Sequence, residues 1–132
     1  MEMAMPERAR VDAFVAAVVG GDHVGAIRDF YTDDATMQEN ANEPRRGREA
    51  LMAHEARALE RLEKMHTHPP AAVLVDGDHV VVRWIFDATD KTGVTRRLEE
   101  LAFQRWRGDR IAEERFFYDT GSAWREVGSS AT

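Results

Sequence analysis

Apolar residues near the start of the chain follow helical spacing. Pro6 suits the first turn of a helix, and Gly20-Gly21 ends it. Asp22 is a capping residue for a second, short helix that carries apolar side chains through Tyr31. The first helix is predicted from one stripe with i, i+3, i+4, i+7 and i+8 spacing, formed by Val11, Phe14, Val15, Val18 and Val19.

The central segment predicts a short strand, a polar loop and a third helix. The strand covers residues 35–39, and the loop covers residues 40–47. The helix is expected from Arg48 to Met65, and Pro69-Pro70 follows it. Its inner face is formed by Leu51, His54, Ala58, Leu62 and Met65.

The second half of the chain changes to the two-residue period of strands. Residues 71–75 and 80–88 flank an Asp-Gly turn and predict a β-hairpin. Two further strands are expected at residues 94–107 and 110–119, followed by a partly disordered tail. Three helices followed by an antiparallel meander predict an α+β fold in which the helices cover one face of the sheet.

Composition narrows the class of protein. The chain has 132 residues, which fits a single domain over 1–132, and a net charge of −6, which disfavours nonspecific nucleic-acid binding. The absence of cysteine excludes disulfides, thiolate-bound metals and thiol catalysis. The longest apolar run, Ala13 to Val19, is too short to span a bilayer, and the polar N-terminus does not resemble a signal peptide. We therefore expect a cytoplasmic protein without nucleic-acid or membrane partners.

Five segments together resemble the nuclear transport factor 2-like superfamily, which includes ketosteroid isomerases, limonene-epoxide hydrolases and SnoaL-like polyketide cyclases. These segments are Phe14–Asp22, Phe30–Glu39, Pro44–Leu51, Glu99–Trp106 and Arg110–Asp119. The resemblance covers about residues 8–120 and leaves 121–132 as a tail. It implies a cone-shaped, curved antiparallel sheet wrapped around three helices, as in cystatin-like folds. It also implies an apolar cavity open at one end and a homodimer through the outer sheet face.

Alignment to the ketosteroid isomerases and strand alternation assign a set of side chains to this cavity. They are Phe14 and His54 from the helices and Trp84, Phe86, Glu99, Leu101, Phe103, Glu114, Phe116 and Tyr118 from the strands. The same assignment places another set on the outer face as a dimer interface: Arg83, Glu100, Ala102, Gln104, Trp106 and Arg115. A one-residue bulge would exchange the two faces.

Three residues are candidates for acid–base chemistry. Glu39 falls where the ketosteroid isomerases keep their general base, and the alternative is a solvated loop acid next to Arg45 and Arg46. Glu114 is expected to face inward and to pair with His54, either as a catalytic acid–base pair or as a structural one. Tyr118 could offer its phenol to a ligand carbonyl or to Glu99, or it could be a core aromatic residue.

Other chemistries have weaker support. The positions that match the isomerases' oxyanion donors are Phe14 and Leu101, neither of which can donate a hydrogen bond. The epoxide hydrolases' last acid would fall near Phe116. His66 and His68 could form a metal pair but lack an evident third ligand. Arg45, Arg46 and Arg48 could hold an anion or could form a solvated loop.

The sequence therefore predicts a SnoaL-like isomerase, cyclase or hydratase that needs neither cofactor nor metal. Its partner would be a small hydrophobic carbonyl compound, on which it would act by proton transfer in an apolar cavity. Two alternatives stay open: a non-catalytic ligand-binding or dimerisation module of the same fold, and a protein-transport adaptor.

Overall fold

The computed structural model describes residues 5–127, which form helices on one side of a curved sheet. The helices are α1 (Arg8–Val19), α2 (His23–Phe30) and α3 (Arg48–Glu60). The strands are β1 (Tyr31–Glu39), β2 (Arg45–Arg46), β3 (Leu62–Thr67), β4 (Ala72–Asp76), β5 (His79–Asp90), β6 (Thr95–Arg107), β7 (Arg110–Phe117) and β8 (Arg125–Glu126).

The strands form one sheet in the order β2-β1-β7-β6-β5-β3, with β4 also paired to β5 and β8 to β6. β1 runs parallel to β7, whereas the other pairs are antiparallel. The predicted α+β class, with the sheet wrapped around three helices, is confirmed. The purely antiparallel arrangement is wrong, because β1 pairs on one side with the last long strand, β7, and runs parallel to it.

Local signals account for the first two helices. α1 buries Val11, Phe14 and Val18, which belong to the predicted apolar stripe. The side chain of Asp22 caps α2 by accepting a hydrogen bond from the backbone N–H of Gly25 at 3.0 Å. A Cβ at residue 25 would lie 2.0 Å from the Asp22 carboxylate, so the cap needs glycine there.

The third helix is shorter than predicted. α3 ends at Glu60, and the chain continues as β3, which pairs with residues 86–90 of β5. Leu62 and Met65, expected on the inner face of the helix, are therefore strand residues. The end of β5 offers a row of backbone hydrogen-bonding groups, and pairing with it outweighs the helical pattern of residues 61–65.

The core fills one end of the cone. Phe14 makes edge-to-face contacts with Phe30, Tyr31 and Trp106, with ring centroids 5.6, 6.1 and 6.1 Å apart. These rings pack against buried residues of β5 and β6 such as Val80 and Ala102. The opposite end, toward α3 and the end of β7, is not filled.

The segment after β7 is more ordered than the sequence predicts. Residues 120–124 form turns, and β8 adds two residues to the edge of the sheet beside β6. Residues 128–132 of the predicted tail lie outside the described part of the chain. No helix within residues 5–127 is long and apolar enough to cross a membrane.

Candidate functional site

The unfilled end of the cone holds a cavity of about 480 Å³ between the helices and the inner sheet face. This volume lies in the range of small-molecule sites. Of the residues assigned to it from the sequence, those that line it are Phe14, Glu39, His54, Trp84, Phe86, Glu114, Phe116 and Tyr118. Further lining residues include His23, Tyr31, Glu55, Leu98, Glu100 and Trp124.

The face assigned to β6 is wrong. Leu101 and Phe103 are 44% and 46% exposed, and Glu99 pairs with Arg83 on the outside of the sheet. The inward residues are those expected on the dimer face: Glu100, Ala102, Gln104 and Trp106 are all buried. The other two residues assigned to the outer face, Arg83 and Arg115, are exposed.

The register of the β5–β6 hairpin explains this difference. Residues directly opposite each other in an antiparallel pair share a face, and Trp84 lies opposite Glu100, with Phe86 opposite Leu98. Because Trp84 faces the cavity, Glu100 faces the cavity as well. The sequence contains the information for this register. A hairpin closed by the polar turn after Asp90, with no bulge in either strand, places Glu100 opposite Trp84.

Glu114 lies at the centre of a buried hydrogen-bond chain. Its carboxylate accepts hydrogen bonds from the hydroxyl of Tyr31 and from Nε2 of Gln104 at 2.7 Å. Gln104 in turn accepts from the indole N–H of Trp106 at 2.9 Å. The predicted pair of Glu114 with His54 is not formed: the carboxylate is bonded by Tyr31 and Gln104, and His54 makes no hydrogen bond to it.

Burial controls the protonation of this chain. Burial raises the pKa of Glu114 to about 7, although the hydrogen bonds from Tyr31 and Gln104 oppose the shift. Burial and the nearby Glu114 raise the pKa of Tyr31 well above its ordinary value. The phenol of Tyr31 therefore stays protonated and remains a donor to Glu114.

Glu100 is a buried acid that faces the cavity without a protein partner. Its side chain is 7% exposed, and no residue in the described range 5–127 makes a hydrogen bond or an ion pair with its carboxyl group. Burial, together with the negative charges of Glu114, Glu39 and Glu55, raises its pKa well above the ordinary value. An uncharged carboxyl group can donate a hydrogen bond into the cavity.

Glu39 and Tyr118 form a second pair at the cavity wall. The hydroxyl of Tyr118 donates to Oε1 of Glu39 at 2.5 Å, which joins the end of β1 to the end of β7. Asn40 strengthens this junction, since its backbone N–H donates to the carbonyl of Phe116 and its side chain accepts from the N–H of Tyr118. Burial and the bond to Glu39 raise the pKa of Tyr118 to about 12. Oε2 of Glu39 has no partner among residues 5–127.

The family assignment rests on most of the chain, since residues 11–114 match the model described as a SnoaL-like domain. The chain belongs to the SnoaL-like domain family. This places it in the nuclear transport factor 2-like superfamily, as its sequence predicts. No curated protein is detectably similar to the chain.

Solved structures share the fold of this SnoaL-like domain. A protein from Mesorhizobium loti assigned to the SnoaL-like polyketide cyclases is 26% identical, with a TM-score of 0.70 over 84% of this chain and 97% of that one. A ketosteroid isomerase-like protein from Catenulispora acidiphila, in complex with trimethylamine, is 23% identical, with a TM-score of 0.71 over 86% and 88%. TerC, crystallised with polyporic acid, is 18% identical, with a TM-score of 0.71 over 86% and 91%.

Two imidazoles of the SnoaL-like domain reach the cavity from the helices. His54 lines it from α3. His23, which the sequence did not single out, is held by Thr67 at 2.9 Å and Glu55 at 3.3 Å and stacks edge-on against Phe86. The Asp22 cap places His23 in the first turn of α2, which is the only local indication of its position. Its partners Glu55 and Thr67 are 32 and 44 residues away along the chain, so local sequence does not identify them.

The weaker candidates, His66, His68 and the arginines near α3, do not assemble a metal or anion site within residues 5–127. His66 and His68 stack with ring centroids 4.6 Å apart, and His68 is bound to Asp87 at 2.7 Å. Within residues 5–127 no group of three metal-ligating side chains is assembled. Arg48 donates to the backbone carbonyl of Tyr31 at 3.0 Å, whereas Arg45 lies at the cavity rim. The arginines near α3 therefore do not converge on one anion site.

Proposed function

We propose that this SnoaL-like domain is an acid–base enzyme that moves a proton beside the carbonyl group of a small hydrophobic compound. The reaction class is an isomerisation, cyclisation or hydration without a cofactor. Glu100 donates a hydrogen bond to the substrate's carbonyl oxygen, and Glu39 takes the proton from the neighbouring carbon. The electron pair of the broken C–H bond moves onto the carbonyl oxygen, and Glu39 returns the proton.

Glu100 carries this proposal: the residue is only 7% exposed, and its carboxyl group has no hydrogen-bond or ion-pair partner among residues 5–127. The raised pKa favours the uncharged carboxyl group, which can donate a hydrogen bond, and a ligand in the cavity can supply the acceptor. A carbonyl oxygen is such an acceptor, and its charge grows as the proton leaves carbon. A donor that is already in place stabilises this charge more than the uncharged ground state. Of the two positions that match the isomerases' oxyanion donors, Phe14 lines the cavity and cannot donate, whereas Leu101 faces outward and its neighbour Glu100 faces the cavity instead.

Glu39 is suited to the role of base. Tyr118 donates to Oε1 and so orients the carboxylate, while Oε2 is available to a ligand. Tyr118 keeps its proton at neutral pH, because its pKa is raised to about 12. We assign Glu114 to the support of the cavity floor and His54 to ligand contact, in place of the acid–base pair predicted from the sequence.

The walls support a hydrophobic ligand. Trp84, Phe86 and Phe116 supply aromatic surface, and Leu98 and Met37 supply aliphatic surface. Relatives of the same fold hold trimethylamine and polyporic acid, which supports a small organic molecule as the occupant here. The alternative function, a binding module without catalysis, shares this cavity and differs only in turnover.

The experiment is proton–deuterium exchange beside the carbonyl group, followed by NMR in D2O over a panel of cyclic ketones and enones. Glu39→Gln and Glu100→Ala are each expected to slow exchange by roughly 100-fold or more, and Glu100→Gln by less because an amide still donates. Glu99→Ala is the matched control, since Glu99 is the next residue but lies on the outer face. Equal effects at positions 99 and 100 would contradict the assignment. Binding by the wild type without exchange of any compound would favour the binding module.

The outer sheet face is the proposed homodimer interface. Leu101, Phe103 and Phe117 leave an apolar strip exposed there, and Phe117 lies opposite Leu101 on the neighbouring strand. Ion pairs flank the strip, namely Arg83 with Glu99 at 3.1 Å and Arg105 with Glu113 at 2.7 Å. An apolar centre with a charged rim that carries both signs can pair with a second copy of itself.

A further inference from the structure

The segment between β7 and β8 leaves the sheet at the mouth of the cavity. Both strands pair with β6, where Phe117 lies opposite Leu101 and Arg125 lies opposite Arg97. These two positions are four residues apart on β6 but eight residues apart on the chain that joins β7 to β8. The chain thus contains four residues more than a continuous strand would need. We call residues 118–124 the mouth loop.

The mouth loop has a defined structure. The Asp119 carboxylate accepts hydrogen bonds from the N–H of Gly121 at 2.9 Å and from the hydroxyl of Ser122 at 3.2 Å. After the loop, β8 returns to the edge of the sheet, and the N–H of Val127 donates to the carbonyl of Thr95 at 2.9 Å. The loop is therefore held at both ends and in its first turn.

Trp124 is the last residue of the loop and has an unusual backbone. Its φ is 57°, in the left-handed region, which a bulky residue rarely adopts. Within residues 5–127 the only other non-glycine residue with positive φ is Asn40, which holds the Glu39–Tyr118 junction. Left-handed backbone at a bulky residue often marks a site with a function, and Trp124 lines the cavity.

The indole of Trp124 lines the cavity and is only partly covered. Its side chain is 38% exposed, whereas Trp84 and Trp106 are 2% and 1% exposed. A ligand that extends from Glu100 toward the mouth would cover the remaining surface of this ring. The fold thus holds a large aromatic side chain at the mouth, beside unfilled space.

We propose that Trp124 contacts the ligand at the cavity mouth and selects for compounds whose apolar ring is large enough to reach it. This inference rests on the proposed function only in that a hydrophobic compound occupies the cavity. It assigns Trp124 to recognition of the end of the ligand that is remote from Glu100, and no proton transfer depends on it. Burial of the exposed part of the indole supplies the binding energy for the larger ring.

Binding of two ketones of different size tests this selection. Dissociation constants of cyclododecanone and of the smaller cyclooctanone are measured by calorimetry for the wild type, Trp124→Phe and Trp124→Ala. Trp124→Ala should weaken cyclododecanone about tenfold and cyclooctanone less than about twofold, and Trp124→Phe should retain most of the affinity. Leu74→Ala is the control, since Leu74 is 63% exposed but lies on β4 and does not line the cavity. Equal losses for both ketones, unchanged affinity in Trp124→Ala, or no binding of cyclododecanone by the wild type would overturn the proposal.

Acrylamide quenching of tryptophan fluorescence gives a second measurement. If Trp124 had only a structural role, a bound ligand would leave its quenching unchanged. Because Trp84 and Trp106 are buried, the quenchable fluorescence belongs to Trp124 and should be lost in Trp124→Phe. Saturating cyclododecanone should reduce quenching in the wild type, and unchanged quenching would contradict the proposed contact. If cyclododecanone binds and protects Trp124 but its C–H hydrogens do not exchange, the proposed catalysis fails while the role of Trp124 is supported.

Discussion

Replacing Glu114 with glutamine tests whether the cavity floor carries a buried acid whose pKa the fold has raised. The pKa rises from an ordinary value of 4.5 to about 7, so the folded protein holds this proton more tightly than the unfolded chain does. This contribution to stability is fully present below pH 4.5 and is lost as pH rises through 7. The difference corresponds to a loss of about 3 kcal/mol in the free energy of unfolding between pH 4.5 and pH 8.

The assay is urea unfolding followed by tryptophan fluorescence at several pH values between 4.5 and 8. We expect the wild type to lose about 3 kcal/mol more than Glu114→Gln across this range. The measured difference also contains a contribution from Glu100. Glu114→Gln removes the negative charge of Glu114, which raises the pKa of Glu100 in the wild type. Glu113→Gln is the matched control, since Glu113 is exposed and its pKa is lowered by Arg105, so its contribution is constant above pH 5. Parallel stability curves for the wild type and Glu114→Gln would refute the reasoning.

Three further predictions concern the helix cap, the tyrosines and the outer face. Asp22→Ala should lower the free energy of unfolding by about 1 kcal/mol in urea titrations, because the first turn of α2 loses its cap. Tyr118 should form little tyrosinate below about pH 11 in the folded protein, because its pKa is raised to about 12, and Tyr31 should titrate above its ordinary value. Both should titrate near pH 10 in urea, as followed by absorbance at 295 nm. Phe103→Glu should convert a dimer to a monomer in analytical ultracentrifugation, and Leu74→Glu on β4 should not; a monomeric wild type would contradict the proposed interface.

Residues with local signals were assigned correctly from the sequence. The Asp22 cap, the glycines after α1 and the Asp-Gly turn between β4 and β5 each act within a few residues, so short-range pattern identifies them. Glu114 also follows from its own strand, because positions of lower and higher exposure alternate along β7 from Ala112 to Phe117.

The errors arose where distant pairing decides the outcome. Residues 62–65 contain two charged residues that suit a helix, and only the free end of β5 makes them a strand. On β6, apolar residues occur on both faces, so alternation within this strand alone does not distinguish Leu101 and Phe103 from Ala102 and Trp106, and only the register against β5 does. The partners of Glu114 could not be read from local sequence either, since Tyr31 lies 83 residues away along the chain.

The parallel pairing of β1 with β7 also has a kinetic consequence. It joins Glu39 to Tyr118 across 79 residues and places the proposed base in a contact that forms only when both ends of the fold have met. Contacts of such long sequence separation require costly loop closure and tend to form slowly. We therefore expect refolding to restore the helices and the β5–β6 hairpin before the cavity can bind a ligand. Stopped-flow ligand binding should lag behind the recovery of far-ultraviolet circular dichroism.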